Sequence, residues 1–271
     1  MAQAFAVASG SASLACERVG QRGPVVVFLH AGVADRRSWR AVASRVAAAG
    51  AAAVSFDRRG FGETGYAPEP HRHADDLLSL LDAVADGPAW LVGSSQGGRV
   101  AIDLALSHPD RVAGLVLFAP AVSGAPELVL APAELQLEAQ FDAAEAAGDL
   151  DLLNRLEAHV WLDGPAQPEG RVGGPLRELF LEMNGRALAA DDPGPELEPP
   201  DAIGAVERIA CPALVVWGDL DFAGIVALSA SLAERLPAGR GVTARGTAHL
   251  PYLERPDEAA SLVAGAVVAG R

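Results

Sequence analysis

The chain has 271 residues, of which 50% are hydrophobic, and it carries a formal net charge of −14. This charge argues against nucleic acids and anionic membrane surfaces as partners. All 21 basic residues are arginine, so the sequence excludes Schiff-base chemistry, including that of pyridoxal phosphate, and the lysine-dependent phosphate-binding loop. We expect neither a cofactor nor a metal ion.

Apolar runs that alternate with alanine-rich helical stretches predict the order of the fold. An antiparallel hairpin is expected at Ala4–Val19. Buried strands are predicted at Val25–Leu29, Ala52–Phe56, Ala89–Val92, Leu115–Phe118, Leu214–Trp217 and Gly241–Ala244, and helices at Arg40–Ala49, Ala74–Ala85 and Gly98–Ser107. Strands and helices in alternation indicate an α/β protein with a mostly parallel, doubly wound sheet.

The alternation stops between residues 123 and 201, where no buried strand is predicted. Three helices are expected there, at Ala133–Ala147, Leu150–Trp161 and Leu176–Ala190, with joints rich in proline and glycine. We interpret residues 123–201 as a helical cap inserted into an α/β core formed by residues 1–122 and 202–271. This segment holds 17 of the 35 acidic residues against four arginines, which is typical of a solvated face and disfavours anionic substrates.

The segment Leu91–Gly98 (LVGSSQGG) contains the pattern G-x-S-x-G at Gly93, Ser95 and Gly97. A short strand precedes it and an alanine-rich helix follows, which predicts a tight turn whose glycines prevent collisions. The Ser95 hydroxyl would then lie at a helix N-terminus, where free N–H groups stabilise a developing negative charge. The alternative is a serine with a structural role in the turn.

A serine hydroxyl is a weak nucleophile at neutral pH, so it needs a base, and the base needs an acid that orients it. His249 lies in a glycine-led loop after the last predicted strand, whereas the other histidines have structural interpretations. Two carboxylates, Asp219 and Asp221, follow the strand Leu214–Trp217 at the sheet edge where open α/β proteins bind ligands. No carboxylate or cysteine completes a ligand set with the histidine pair at positions 71 and 73, so no metal site is predicted.

Five motifs, taken in order along the chain, resemble those of the α/β-hydrolase fold family, and the resemblance covers essentially the whole length. The motifs are FLHAG at Phe28–Gly32 followed by Trp39, DRRGFG at Asp57–Gly62, GSSQGG around Ser95, GDLD at Gly218–Asp221 and GTAH at Gly246–His249. They resemble the family's oxyanion segment, the turn after its fourth strand, its nucleophile elbow, its acid loop and its histidine loop. Ala31 departs from the pattern, because the family usually has glycine there.

The resemblance implies a serine hydrolase in which Ser95 is the nucleophile, His249 its base and Asp221 the acid. Asp221 is preferred over Asp219 because the family's acid loop resembles G-x-x-D. The resemblance also implies that the backbone N–H groups of Gly32 and Gln96 form an oxyanion hole. The turn at Asp57–Gly62 is interpreted as a structural brace.

Two tryptophans, Trp39 and Trp161, are candidates for the substrate pocket, with ordinary packing between helices as the alternative. The expected reaction is hydrolysis of a small to medium carboxylic ester through an acyl-enzyme. Opening of lactones and cleavage of carbon–carbon bonds beside a ketone are alternatives on the same residues. Haloalkane dehalogenases and epoxide hydrolases resemble this fold but use aspartate at the position of Ser95.

A ligand-binding protein that keeps the fold without turnover is the alternative from another class. The sequence indicates no oligomeric state. Cys16 and Cys211 are interpreted as two buried thiols, with one disulfide left open. The segment that begins the chain lacks the basic residue of a secretory signal, and the longest apolar runs fall short of the ~20 residues of a membrane span. We therefore expect a cytoplasmic protein without a membrane partner.

Overall fold

A computed structural model describes residues 2–127, 132–197, 199 and 201–270, with an eight-stranded sheet at the centre. Residues 128–131, 198 and 200 of the predicted insertion, and the two terminal residues, lie outside the described residues. The strands are β1 (Gln3–Ser9), β2 (Ala12–Val19), β3 (Val25–Leu29), β4 (Ala52–Phe56), β5 (Ala89–Ser94), β6 (Val112–Phe118), β7 (Ala213–Gly218) and β8 (Gly239–Ala244).

The sheet has the strand order β1-β2-β4-β3-β5-β6-β7-β8. The hairpin β1–β2 is antiparallel and joins β4 in antiparallel register, while the remaining pairs are parallel. The predicted α/β class with a mostly parallel sheet is therefore confirmed. The carboxyl ends of β3, β5, β7 and β8, which precede the four predicted site loops, meet at one edge of the sheet.

The helices are α1 (Arg40–Ala48), α2 (His73–Val84), α3 (Gln96–Ser107), α4 (Pro132–Ala147), α5 (Leu150–Glu157), α6 (Gly174–Leu188), α7 (Ala223–Arg235), α8 (Pro251–Glu254) and α9 (Pro256–Ala269). Helices α1 and α9 cover one face of the sheet, and α2, α3 and α7 cover the other. Along β3, Val27 and Leu29 pack with the cluster under α2, α3 and α7, whereas Val26 and Phe28 pack with α1 and α9. Successive side chains of a strand point to opposite faces, so the apolar run VVVFL forms part of both cores.

No helix within the described ranges is both long enough and apolar enough to cross a membrane. Both cysteines are free. Cys16 is buried in β2, where desolvation raises the pKa of its thiol to about 12. Cys211 is partly exposed, so the expectation of two buried thiols is correct only for Cys16.

The segment between β6 and β7 contains α4, α5 and α6. The predicted helix Leu150–Trp161 ends instead at Glu157 and continues as a π-helical turn, Ala158–Asp163. Phe180 and Met183 of α6 are buried in the cluster that also contains Val26 of β3. Near its end the segment runs beside residues 69–71, where the N–H of Leu197 donates to the carbonyl of His71. The domain boundaries at 123 and 201 stay a prediction.

Candidate active site

Ser95 lies at the turn between β5 and α3 in a strained backbone conformation. Its φ is 51° and its ψ is −118°, a region that residues with a Cβ rarely occupy. Its N–H donates to the carbonyl of Phe118 at 3.0 Å, and its carbonyl accepts the N–H of Ala121 at 3.0 Å. These bonds to the segment at the end of β6 hold the turn from outside, so the serine keeps a conformation that it would not adopt alone.

The spacing of the glycines around Ser95 has a steric cause. A Cβ added to Gly93 would lie 2.5 Å from the carbonyl oxygen of Gly97, and a Cβ on Gly97 would overlap the carbonyl oxygens of Leu29 and His30. Backbone therefore packs directly against backbone on both sides of the turn. A side chain at either glycine would push α3 away from the sheet.

Asp221 and His249 meet at the end of β7 and β8. Nδ1 of His249 lies 2.7 Å from Oδ2 of Asp221, and their side chains are 4% and 0% exposed. The other carboxylate oxygen accepts the N–H of Phe222 at 2.8 Å. A carboxylate that accepts the Nδ1 proton fixes the tautomer in which Nε2 carries the free lone pair. This imidazole is therefore arranged to accept a proton at Nε2.

Asp219 has a different partner. Its Oδ1 accepts the N–H of Gly246 at 2.5 Å, and the N–H of Leu220 donates to the carbonyl of Thr247 at 3.0 Å. These bonds tie the acid loop to the start of the histidine loop. The structure thus brings Asp221, and not Asp219, to the imidazole of His249.

A cavity of about 370 Å³ contains both Ser95 and His249 on its wall. Its lining residues are Ser95, Gln96, Ala119, Pro120, Ala121, Val122, Ala125, Pro126, Glu127, Trp161, Ile225, Leu228 and His249. Most of these side chains are apolar, and Glu127 adds a carboxylate. The Trp161 ring lies beside the imidazole of His249, with centroids 4.6 Å apart, and beside Phe222 at 5.3 Å.

Trp39 is not part of this cavity, which corrects the prediction that it lines the pocket. Its side chain is fully buried and stacks on Tyr252 with ring centroids 3.6 Å apart. It also contacts Phe28 and Phe118 in the core. A large apolar ring gains more from such burial than from a cavity wall, so Trp39 serves packing in the core.

The two predicted oxyanion donors come from adjacent segments. Gly32 follows β3, and Gln96 is the first residue of α3, where N–H groups lack an acceptor within the helix. Among the described residues, no backbone carbonyl accepts either N–H. A Cβ on Gly32 would lie 2.8 Å from the Gln96 side chain, so the two segments touch. The unusual Ala31 is buried in the core cluster.

Sequence reasoning missed the contact between Arg58 and Gln96. The guanidinium of Arg58 is buried, and both its terminal nitrogens lie 3.3 Å from Oε1 of Gln96. It also lies 4.5 Å from the ring centroid of Phe61. Burial, together with the charge of Arg99, lowers the pKa of Arg58 to about 9. The motif indicated a turn here, but nothing in it indicated that a cation would contact the residue after Ser95.

Two buried polar residues, Asp57 and His30, hold the neighbouring loops by hydrogen bonds. Asp57 is buried and accepts the N–H groups of Arg36 and Glu63 at 2.7 and 2.8 Å. His30 accepts the N–H of Arg58 at 3.0 Å, and its Nδ1 lies 2.8 Å from the Ala31 carbonyl. Burial lowers the pKa of His30 well below its ordinary value, which leaves the ring neutral. These contacts hold the segment Phe28–Gly32 against the turn at Asp57–Gly62.

The histidine pair at positions 71 and 73 has ring centroids 5.1 Å apart. In the part of the chain that the structure describes, no three histidine, cysteine or acidic side chains are grouped as metal ligands.

Comparison with known proteins identifies relatives of this chain. Residues 26–262 match the profile of the Alpha/beta hydrolase family. The chain is 28% identical over 262 residues to the pimeloyl-[acyl-carrier protein] methyl ester esterase of Aeromonas hydrophila, which covers 91% of this chain and 96% of that protein. It is 37% identical over 99 residues to epoxide hydrolase 2 of Siraitia grosvenorii, but this match covers 35% of the chain and 31% of the relative.

The chain thus spans only about a third of the length of the epoxide hydrolase that it matches. Among solved structures, a thermophilic esterase from Thermogutta terrifontis has the same fold, with a TM-score of 0.75, 23% identity and 99% of each chain covered. The family match covers most of the chain, and the relatives are named as hydrolytic enzymes. The chain therefore belongs to the alpha/beta hydrolase family of enzymes.

Proposed function

We propose that this protein is a serine hydrolase that cleaves a small to medium carboxylic ester through an acyl-enzyme. Ser95 attacks the carbonyl carbon while His249 accepts its proton, and the imidazolium then protonates the departing alcohol. Water activated by His249 hydrolyses the acyl-enzyme, and Asp221 stabilises the imidazolium in both steps. The observation that carries this proposal is the buried His249–Asp221 hydrogen bond of 2.7 Å beside the cavity that Ser95 also lines.

The tetrahedral intermediate needs donors for its oxygen anion. In the proposed mechanism these donors are the N–H groups of Gln96 and Gly32. Donors aimed at that oxygen contribute about 3–4 kcal/mol each to lowering the barrier in serine hydrolases. The positively charged Arg58 behind the Gln96 side chain has the sign that favours the same anion.

The cavity supports a neutral substrate of modest size. A volume of about 370 Å³ is near the lower end of ordinary small-molecule sites, which hold roughly 300–1,000 Å³. Its wall is mainly apolar, and Glu127 would repel a carboxylate on the substrate. The acidic segment between β6 and β7 acts in the same direction, and we interpret it as a cap that limits access to Ser95.

The similarity to an epoxide hydrolase does not change this proposal. The match is partial, and position 95 is serine, whereas epoxide hydrolases of this fold use aspartate there. A hydroxyl nucleophile with a histidine base suits attack on a carbonyl carbon, as in acyl transfer.

A panel of p-nitrophenyl esters of increasing acyl length, assayed beside a panel of lactones, tests the proposal. We expect turnover of short and medium esters by the wild-type protein and none above background by Ser95→Ala. A preference for lactones at an intact Ser95 would redirect the substrate assignment. Ester turnover that survives in Ser95→Ala would contradict the mechanism.

A further inference from the structure

The histidine loop is held by a buried carboxylate from α8. Oε1 of Glu254 accepts the N–H of Ala248, the residue before His249, at 2.7 Å. The Glu254 side chain is 8% exposed. A hydrogen bond from a charged acceptor is stronger than one between neutral groups. Glu254 therefore fixes the backbone from which the imidazole projects.

The partner of Glu254 comes from the segment between β6 and β7. Nη1 of Arg171 lies 2.8 Å from Oε2 of Glu254 and 3.3 Å from the carbonyl oxygen of Gly246. The other two nitrogens donate within the insertion, Nε to the carbonyl of Asp163 at 2.6 Å and Nη2 to that of Leu162 at 2.8 Å. All three nitrogens are thus used, and Arg171 joins the insertion to the histidine loop.

The loop that carries Arg171 is itself fixed by Asp163. The side chain of Asp163 is fully buried and accepts the N–H groups of Gly170 and Val172 at 2.8 Å each. Nη1 of Arg177 donates to the same carboxylate at 2.7 Å. Backbone bonds on both sides of Arg171 fix the main chain from which its side chain reaches Glu254, so the backbone entropy of the loop is already lost before the ion pair forms.

The same π-helical turn that precedes this loop also contacts the imidazole directly. Trp161 lies in the turn, and its ring is 4.6 Å from that of His249. Turns of this type occur often at functional sites. The insertion therefore approaches His249 by two routes, through the Trp161 ring and through the Arg171–Glu254 ion pair.

We propose that Arg171 and Glu254 are positioning residues for His249, so that the inserted helices hold the general base in place in addition to covering the cavity. This inference rests on the proposed role of His249 as the base. Neither residue lines the cavity, and both act through the backbone at Gly246 and Ala248. A displacement of about 1 Å in a catalytic group can lower a rate roughly 100-fold.

Four variants test the proposal on a p-nitrophenyl ester. Glu254→Leu removes the acceptor for the Ala248 N–H, and Arg171→Met removes the link to the insertion. We expect each to lower kcat about 10- to 100-fold while KM changes less than about twofold. Glu254→Gln keeps an acceptor oxygen and should retain more activity than Glu254→Leu. The fourth, Arg111→Met, is the control.

Arg111 is a matched control because its side chain is 22% exposed, against 21% for Arg171, and it also pairs with one carboxylate, Asp82, at 2.6 Å. It lies before β6, at the sheet edge opposite the site. Arg111→Met should leave kcat within about twofold. In a His249→Ala background, Glu254→Leu should not lower kcat further, because Glu254 affects catalysis only through the position of the imidazole.

Hydrogen exchange gives a readout that does not need turnover. Amides of residues 246–249 should exchange faster in Arg171→Met and Glu254→Leu than in wild type or Arg111→Met. Unchanged exchange rates at residues 246–249 would overturn the inference. So would a drop in kcat from Glu254→Leu in the His249→Ala background as large as the drop it causes in the wild type. If wild-type protein cleaves no ester, the proposed function fails, while the exchange rates still decide whether Arg171 and Glu254 hold this loop.

Discussion

Ser95 and His249 face the same cavity but are held in different ways. The turn at Ser95 is fixed by backbone packing, with Gly93 and Gly97 in direct contact with carbonyl groups and the serine N–H bonded to Phe118. The loop of His249 is fixed by side chains from other parts of the chain. The comparison teaches that close backbone packing fixes the proposed nucleophile, whereas side-chain hydrogen bonds fix the loop of the proposed base.

The largest effect on kcat is expected from the side chain that orients His249. Asp221→Asn should lower kcat on the order of 10⁴-fold, as in the serine-protease triad, because the amide favours the wrong histidine tautomer. Asp219→Asn is the matched control, since it removes a charge two residues away and keeps an amide oxygen that can accept the Gly246 N–H. Assaying both variants on one ester shows which carboxylate orients His249. A more severe loss in Asp219→Asn would show that the acid is misassigned.

The backbone packing around Ser95 is tested by adding one methyl group at Gly97. Gly97→Ala places a Cβ against the carbonyls of Leu29 and His30, so the turn must shift and ester turnover should fall sharply. Overpacking of this kind also lowers the free energy of unfolding by about 1–3 kcal/mol.

Gly87→Ala is the control for this substitution, because a Cβ there meets no atom within 4 Å. Denaturant unfolding and ester turnover of both variants give the comparison. Equal activities in Gly97→Ala and Gly87→Ala would mean that close packing does not fix the elbow.

The two tryptophans are expected to affect two different properties, acyl-length selectivity for Trp161 and stability for Trp39. Trp161→Ala removes a ring from the cavity wall and so enlarges the cavity. It should shift the preferred acyl length, with little change in melting temperature. Trp39→Ala removes a fully buried ring and should cost about 3–5 kcal/mol of stability, while the folded protein keeps its acyl preference. An ester panel and thermal melts separate the two. The opposite pattern would reverse their assignments to cavity and core.

These contrasts also explain how far the sequence could predict the structure. The strands and the Ser95 elbow follow from short patterns, because β-branched runs and glycine spacing act over a few residues. Trp39 and Trp161 could not be separated by composition, since both are large and apolar and only tertiary packing decides which is buried. The helix predicted at Leu150–Trp161 was too long, because the chain widens into a π-helical turn after Glu157.

The pairing of Arg171 with Glu254 was beyond sequence reasoning for a related reason. Arg171 lies in a stretch rich in glycine and proline, whereas Glu254 follows the apolar run Leu250–Leu253, and no local pattern joins them. Asp221 was preferred over Asp219 only through the family's loop spacing. The structure separates the two carboxylates by their partners, the imidazole for Asp221 and the Gly246 N–H for Asp219.

The central claim, that Ser95 is a nucleophile activated by His249, is tested most directly by covalent labelling with a fluorophosphonate and peptide mapping of the adduct. We predict one adduct per chain, on Ser95, that is lost in Ser95→Ala and forms far more slowly in His249→Ala. Both variants should retain the circular dichroism spectrum of the wild type. An adduct on another residue, or labelling that persists in Ser95→Ala, would contradict the account.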